Sequence, residues 1–341
     1  MKTRILTMAC LFAFASQSAS AIDDSSQVYL QKGIEEKNAQ RYMVASQYFE
    51  KATNINDKNV QAYLQNALVN LEMRKTDQAK AAFTKVYELD PTNSIAIQNL
   101  AELYFSYRQF QKAIDFAGKT KNYANADRII GMSHYQLEDY ASAVNALAIY
   151  LQKNPTDAQA TYTMGRSYLD MEEYKKAFPF YAKAVELDKS KNVWAYELGL
   201  LSYTLNDYKN AAKYFNVAIE NGYPQGNDVS ENLGFSYIYS GEFEKGEKLL
   251  LSVIAKKPGS KDLLRDIAET YYQNKMYDKS LEFCQKLLEM NMKDGKALWQ
   301  AGLCFQKKGE KDRGQQMCDK AIELDPSLAG MRQKSMSPMG L

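Results

Sequence analysis

The stretch AIELDP, Ala321 to Pro326, returns in variant form as VYELDP, Val86 to Pro91, and as AVELDK, Ala184 to Lys189. Aligning these phrases exposes a fixed period, the spacing from Ser26 to Val60, and Pro258 and Pro326 stand two such periods apart. With the register set at Ser26 the units are 26–59, 60–93, 94–123, 124–157, 158–191, 192–225, 227–260, 261–294 and 295–328. The third unit is four residues short, and Gly226 is a one-residue insert.

Three columns carry the physics. The eighth place is small in all nine units: Gly33, Ala67, Ala101, Gly131, Gly165, Gly199, Gly234, Ala268 and Gly302. The twentieth is small again: Ala45, Ala79, Ala113, Ala143, Ala177, Ala211, Gly246, Ser280 and Gly314. The seventeenth is aromatic in seven of nine, as at Tyr42, Phe110 and Tyr277. Apolar residues recur at helical spacing on both sides of a short polar break. In unit six Leu198, Leu201 and Leu205 precede Asn206-Asp207, and Ala211, Phe215 and Ala218 follow. That pattern predicts two antiparallel helices per unit, crossing closely at the small places. A large residue at place twenty-four, such as Phe49, Phe83, Tyr181 or Phe215, fills the space between them. Pro91, Pro155, Pro258 and Pro326 fall just past the second helix, where a residue unable to continue a helix ends it.

Gly/Ala at eight, Tyr at eleven, Ala at twenty, Phe at twenty-four and Pro at thirty-two, repeated from unit to unit, resemble the tetratricopeptide repeat (TPR) family. The resemblance covers residues 26–328 and implies an all-α fold, a right-handed α-solenoid of about nine tandem helix-turn-helix repeats. Departures are local. Unit three has Ala117 at the Phe place and lacks the closing Pro, which predicts an irregularity near 117–124. Pro179 lies inside the second helix of unit five, tolerated if that helix begins near Lys175 and kinking it if the start is earlier.

The ends read differently. Lys2 and Arg4 precede the apolar run Ile5–Phe14, and Ala19-Ser20-Ala21 presents an A-x-A cleavage arrangement. Residues 1–21 are therefore read as a signal peptide, followed by the solenoid within 22–328 and a polar capping segment and tail over 329–341. Removing Lys2 and Arg4 from the 43 basic residues leaves them equal in number to the 41 acidic ones. A balanced chain without a Lys/Arg block gives no electrostatic reason to expect nucleic acid or anionic lipid as partner. Cleavage leaves Cys284, Cys304 and Cys318, read as buried small apolar residues rather than as a disulfide framework.

Catalytic patterns are lacking. The single histidine, His134, occupies place eleven, where a packed Tyr is expected, and has no evident catalytic partner. There is no Cys-x-x-Cys and no paired histidine, and no Gly-rich phosphate loop ends in Gly-Lys-Ser/Thr. Gly131-Met-Ser133, Gly165-Arg-Ser167 and Gly234-Phe-Ser236 lack the closing Gly of a nucleophile elbow. The methionines of the tail, without His or Cys, do not make a metal site. The expectation is a non-enzyme with no metal, no cofactor, no room for an appended catalytic domain and no membrane span after cleavage.

In the TPR family the first helices of successive hairpins line a concave face that holds a peptide or partner helix. Here places 2, 5, 9 and 12 are expected to look inward. They bring together Arg128, Tyr162, Arg166, Tyr196, Tyr203, Phe235, Arg265, Tyr272 and Trp299 as candidate partner-binding residues, since aromatics and Arg carry interface energy. The family's carboxylate clamp is absent from the first three units, which read Leu30/Ile34, Leu64/Leu68 and Gln98/Glu102 at its places. The reading is an exported monomeric scaffold for protein partners, periplasmic or outer-membrane-associated, serving envelope assembly or secretion. Its alternatives are a receptor for a small ligand or glycan on the aromatic wall, and a self-assembling structural protein.

Overall fold

The computed structural model describes residues 25–120 and 123–330, and every regular element among them is helical. The chain divides into two compact units. The first, through Glu173, contains α1 (25–38), α2 (Tyr42–Ile55), α3 (Val60–Glu72), α4 (Thr76–Leu89), α5 (Ser94–Ser106), α6 (Phe110–Ala117), α7 (Ala126–Gln136), α8 (Tyr140–Lys153) and α9 (Ala158–Asp170). The second, from Tyr174, contains α10 (Tyr174–Leu187), α11 (Asn192–Thr204), α12 (Tyr208–Glu220), α13 (Asn227–Tyr239), α14 (Phe243–Lys256), α15 (Lys261–Gln273), α16 (Tyr277–Met290), α17 (Gly295–Lys307), α18 (Lys311–Leu324) and a 3₁₀ turn, Pro326–Leu328. The expected signal, 1–21, lies outside the described residues, and of the expected capping segment only Ala329 and Gly330 fall within them. No described helix is long and apolar enough to cross a membrane.

Hairpins follow one another in both units, with helices adjacent in sequence packed together. The small columns do what their size predicts. A Cβ built on Gly199 would stand 2.6 Å from Phe215 Cδ1, and one on Gly131 2.6 Å from Leu147 Cγ. Both distances are far inside the carbon–carbon optimum of about 3.5–4.0 Å. At place twenty the approach reaches backbone: a Cβ on Gly246 would lie 2.6 Å from the Gly234 carbonyl oxygen. Ser280 uses the same proximity differently, donating its hydroxyl to the Ala268 carbonyl at 2.7 Å. Phe49, Phe83, Tyr181 and Phe215 at place twenty-four are all fully buried.

The break between the helices of each hairpin is a left-handed residue at place fifteen. Gln40, Arg74, Arg108, Glu138, Glu172, Asn206 and Lys275 adopt φ of 57–62°, and Gly241 and Gly309 occupy the same place. The next residue's N–H then bonds back five residues, as Asp207 does to the Ser202 carbonyl at 2.9 Å and Glu242 to Tyr237 at 2.7 Å. This bonding closes the first helix in a Schellman arrangement. Second-helix ends also match their sequence signal, with Pro91, Pro155, Pro258 and Pro326 two residues past the last helical residue. The irregular third unit shows as a shortened α6 of 8 residues, against 14 for α4. Helix α10 begins at Tyr174, so Pro179 lies beyond its first turn; lacking an N–H, it leaves the Lys175 carbonyl without the usual helical donor.

Candidate functional site

The first unit holds three of the nine candidate residues. Arg128 of α7 donates from Nε to Asp157 Oδ2 at 2.7 Å, while Asp157 Oδ1 caps α9 by accepting from the Ala160 N–H at 2.9 Å. Tyr150 adds a hydroxyl to the same carboxylate at 3.1 Å. Burial raises the Asp157 pKa, yet the backbone N–H of Ala160 and the Arg128 guanidinium outweigh it and hold the carboxyl below its ordinary range. Arg166 Nη2 lies 3.4 Å from Asp170 Oδ1, and Tyr135 donates to the other Asp170 oxygen at 3.1 Å. Tyr162 is half-buried on α9.

The second unit holds the other six. Arg265 repeats the Arg128 arrangement one helix pair from the C-terminal end. Its Nη1 donates to Asp262 Oδ1 at 2.9 Å and its Nη2 to Asp294 Oδ2 at 2.7 Å, while Asp294 Oδ1 caps α17 through the Ala297 N–H at 3.1 Å. Both candidate arginines at place five are thus tied to the helix cap of the following repeat. Trp299 is only 7% exposed and packs with Cys318, Ala321 and Leu328, which makes it core as much as wall. Tyr196 stacks on Tyr223, with ring centres 4.5 Å apart and planes at 15°, and accepts from Asn232 at 3.4 Å. Tyr272 lies 5.7 Å from the Tyr277 ring.

Tyr203 and Phe235 meet in a cavity of about 220 Å³ whose other lining residues are Tyr239, Asp266, Glu269 and Thr270. Tyr239 stacks on Tyr208 at 4.5 Å and its hydroxyl lies 3.2 Å from Thr270 Oγ1. Burial, with the nearby tyrosines and Asp266, pushes the Tyr203 pKa up to about 12. A second cavity of about 390 Å³ adjoins it and shares Asp266 and Glu269. Arg265, Lys296, Trp299, Gln300, Leu303 and Leu328 are among its walls. Arg265 Nε and Gln300 Nε2 are buried without a hydrogen-bond partner.

The residues that sequence reasoning missed are Asp266, Glu269, Thr270, Tyr239 and Gln300. Glu269 stands at place nine, inside the expected columns, yet a rule that weighs only aromatics and Arg does not select it. Asp266 and Tyr239 occupy places six and thirteen, one residue beyond the expected columns, so the helices are turned slightly from that register.

Outside this wall, His134 Nδ1 stands 3.2 Å from Asp139 Oδ2. Cys284, Cys304 and Cys318 are free and buried, and burial pushes the Cys284 thiol up to about 12. Among the described residues no three His, Cys, Asp or Glu side chains converge as a metal site.

A curated relative, Anaphase-promoting complex subunit 3 of Schizosaccharomyces pombe, is 28% identical over 88 residues, which is 26% of this chain and 13% of that protein's length. Among solved structures, MamA of AMB-1 is 21% identical, covering 48% of this chain and 98% of that one with a TM-score of 0.43. The C-terminal part of a TPR repeat-containing protein from Cytophaga hutchinsonii is 17% identical, covering 80% and 98%, with a TM-score of 0.46. Family models described as tetratricopeptide repeat match residues 70–129, then 130–192, 162–226 and 232–295, and finally 295–328, together more than half of the chain. Those matches run through both compact units, and the chain belongs to the tetratricopeptide repeat family.

Proposed function

We propose that this protein is an exported, non-catalytic scaffold in the bacterial envelope that holds a protein partner along α11, α13, α15 and α17. TPR repeats mediate protein–protein interaction, and the observation that favours this wall is its pair of adjoining cavities with aromatic, acidic and apolar linings. Interface energy concentrates where a few large side chains find preformed, desolvated pockets, and a wall of this kind offers them. Export and periplasmic or outer-membrane association rest on the sequence of residues 1–21, and a role in envelope assembly or secretion on the resemblance to repeat arrays of that compartment.

The test is site-specific photo-cross-linking in living cells. A benzophenone amino acid in place of Glu269, exposed on the wall, is compared with the same group at Glu244, exposed on α14. A discrete protein adduct from position 269 and none from 244 supports the reading. Equal adducts, or none from 269, overturn it.

A further inference from the structure

Asp266 and Glu269 lie one turn apart on α15 and belong to both cavities, so the two share a floor. On one side of that floor stand Tyr203, Phe235 and Tyr239, with no Lys or Arg among the lining residues. Aromatic faces and carboxylates together attract a cation: the ring quadrupole favours positive charge, and a guanidinium or ammonium adds charge-assisted hydrogen bonds to the acids. Asp266 forms no ion pair among the described residues. Partial burial, then the neighbouring Asp262, raises its pKa, while Arg265 works the other way. On the other side Trp299, Leu303 and Leu328 form apolar wall; Lys296 also lines it, as does Arg265, which is held by Asp262 and Asp294.

We infer that the two cavities together receive an extended peptide segment of the partner in which a basic side chain, Arg or Lys, lies beside an apolar one. The basic side chain lies against the paired rings of Tyr203 and Tyr239, whose centres are 6.3 Å apart, and reaches Asp266 and Glu269. The apolar side chain fills the space against Trp299, Leu303 and Leu328. This inference rests on the protein-binding reading above and specifies the chemistry of its partner.

The experiment is selection of phage-displayed random nine-residue peptides on the purified full chain. The enriched sequence is then made as a fluorescein-labelled peptide and titrated by fluorescence anisotropy. The expected consensus places Arg or Lys one or two residues from Leu, Ile, Met or Phe. Asp266→Asn and Glu269→Gln should each weaken the selected peptide about tenfold, the loss of one charge-assisted contact. Replacing the basic residue of the peptide by Gln should weaken binding to the unaltered protein similarly, a readout independent of whether any variant folds. Peptides that bind with an acidic or uncharged consensus, or that ignore both substitutions, overturn the basic–apolar assignment and leave the protein-binding wall standing. Failure to enrich any peptide overturns the assignment and counts against the wall as well.

Discussion

Breaking the Arg265–Asp294 pair separates a structural arginine from one displayed for a partner. The Asp294 side chain is 5% exposed and that of Arg265 31%, so the carboxylate is the desolvated member. Asp294→Asn keeps the capping oxygen for the Ala297 N–H and removes only the charge facing Arg265; Asn59 and Asn93 cap α3 and α5 in this way. A hydrogen bond to a charged group is worth about 1.5–3 kcal/mol, and the partly solvated arginine lowers this to about 1–2 kcal/mol. Asp294→Ala also removes the cap, adding about 1 kcal/mol. Arg265→Gln leaves a buried carboxylate without its cation. Removing one partner of a fully buried pair costs about 3–5 kcal/mol, and the positive end of α17 reduces this to about 2–3 kcal/mol. The assay is urea unfolding followed by fluorescence of Trp299, five residues beyond the cap, beside far-ultraviolet dichroism. The double variant Arg265→Gln/Asp294→Asn should lose about 1–2 kcal/mol less than the sum of the single losses. Additivity within about 0.5 kcal/mol would refute the reasoning and return Arg265 to the partner-facing set.

Other outcomes follow from the same geometry. The folded-state pKa of Asp157 is held below its unfolded value, so its contribution is present above about pH 4 and is lost as pH falls through the lowered pKa. The stability gap between the wild type and Asp157→Asn in urea titrations should therefore be constant from pH 7 to 5 and shrink below about pH 4. Asp266 has the opposite sign: its raised pKa makes the ionised form unfavourable above that pKa, so Asp266→Asn should not lower the urea midpoint at pH 7, and a loss would contradict its unpaired placement. Gly241→Ala should cost about 1 kcal/mol at the left-handed turn, although a Cβ there meets nothing within 4 Å. Gly314→Ala brings a methyl within 2.5 Å of the Gly302 carbonyl oxygen and should cost about 1–3 kcal/mol in urea unfolding despite the better helix propensity of Ala. Mass spectrometry of the protein from cells should find a chain beginning at Ile22, and an intact N-terminus in the cytosolic fraction would overturn export.

The repeat was legible in the sequence because its physics is local and repeated nine times. A small residue at place eight, another at place twenty and a large one at twenty-four record a close helix crossing that recurs in every unit, and Gly199 against Phe215 realises it. The left-handed turn at place fifteen left little trace, since only Gly241 and Gly309 mark it and seven other residues bear the strain, about 1 kcal/mol each. The proposed binding wall is a property of tertiary structure. Spacing along a helix locates a column only to within one residue, a rotation of about 100°, and that offset separates Asp266 from Arg265. No spacing rule shows that Arg128 and Arg265 reach onward to the cap of the next repeat's first helix, or that Trp299 closes over Leu328. These placements depend on how neighbouring hairpins stack, and stacking is decided by contacts between side chains that are distant in sequence. The repeat period determined the fold by itself; which residues stay open to solvent was decided only when the stacked helices assigned some side chains to caps and core and left Tyr203, Phe235, Tyr239, Asp266 and Glu269 lining a cavity.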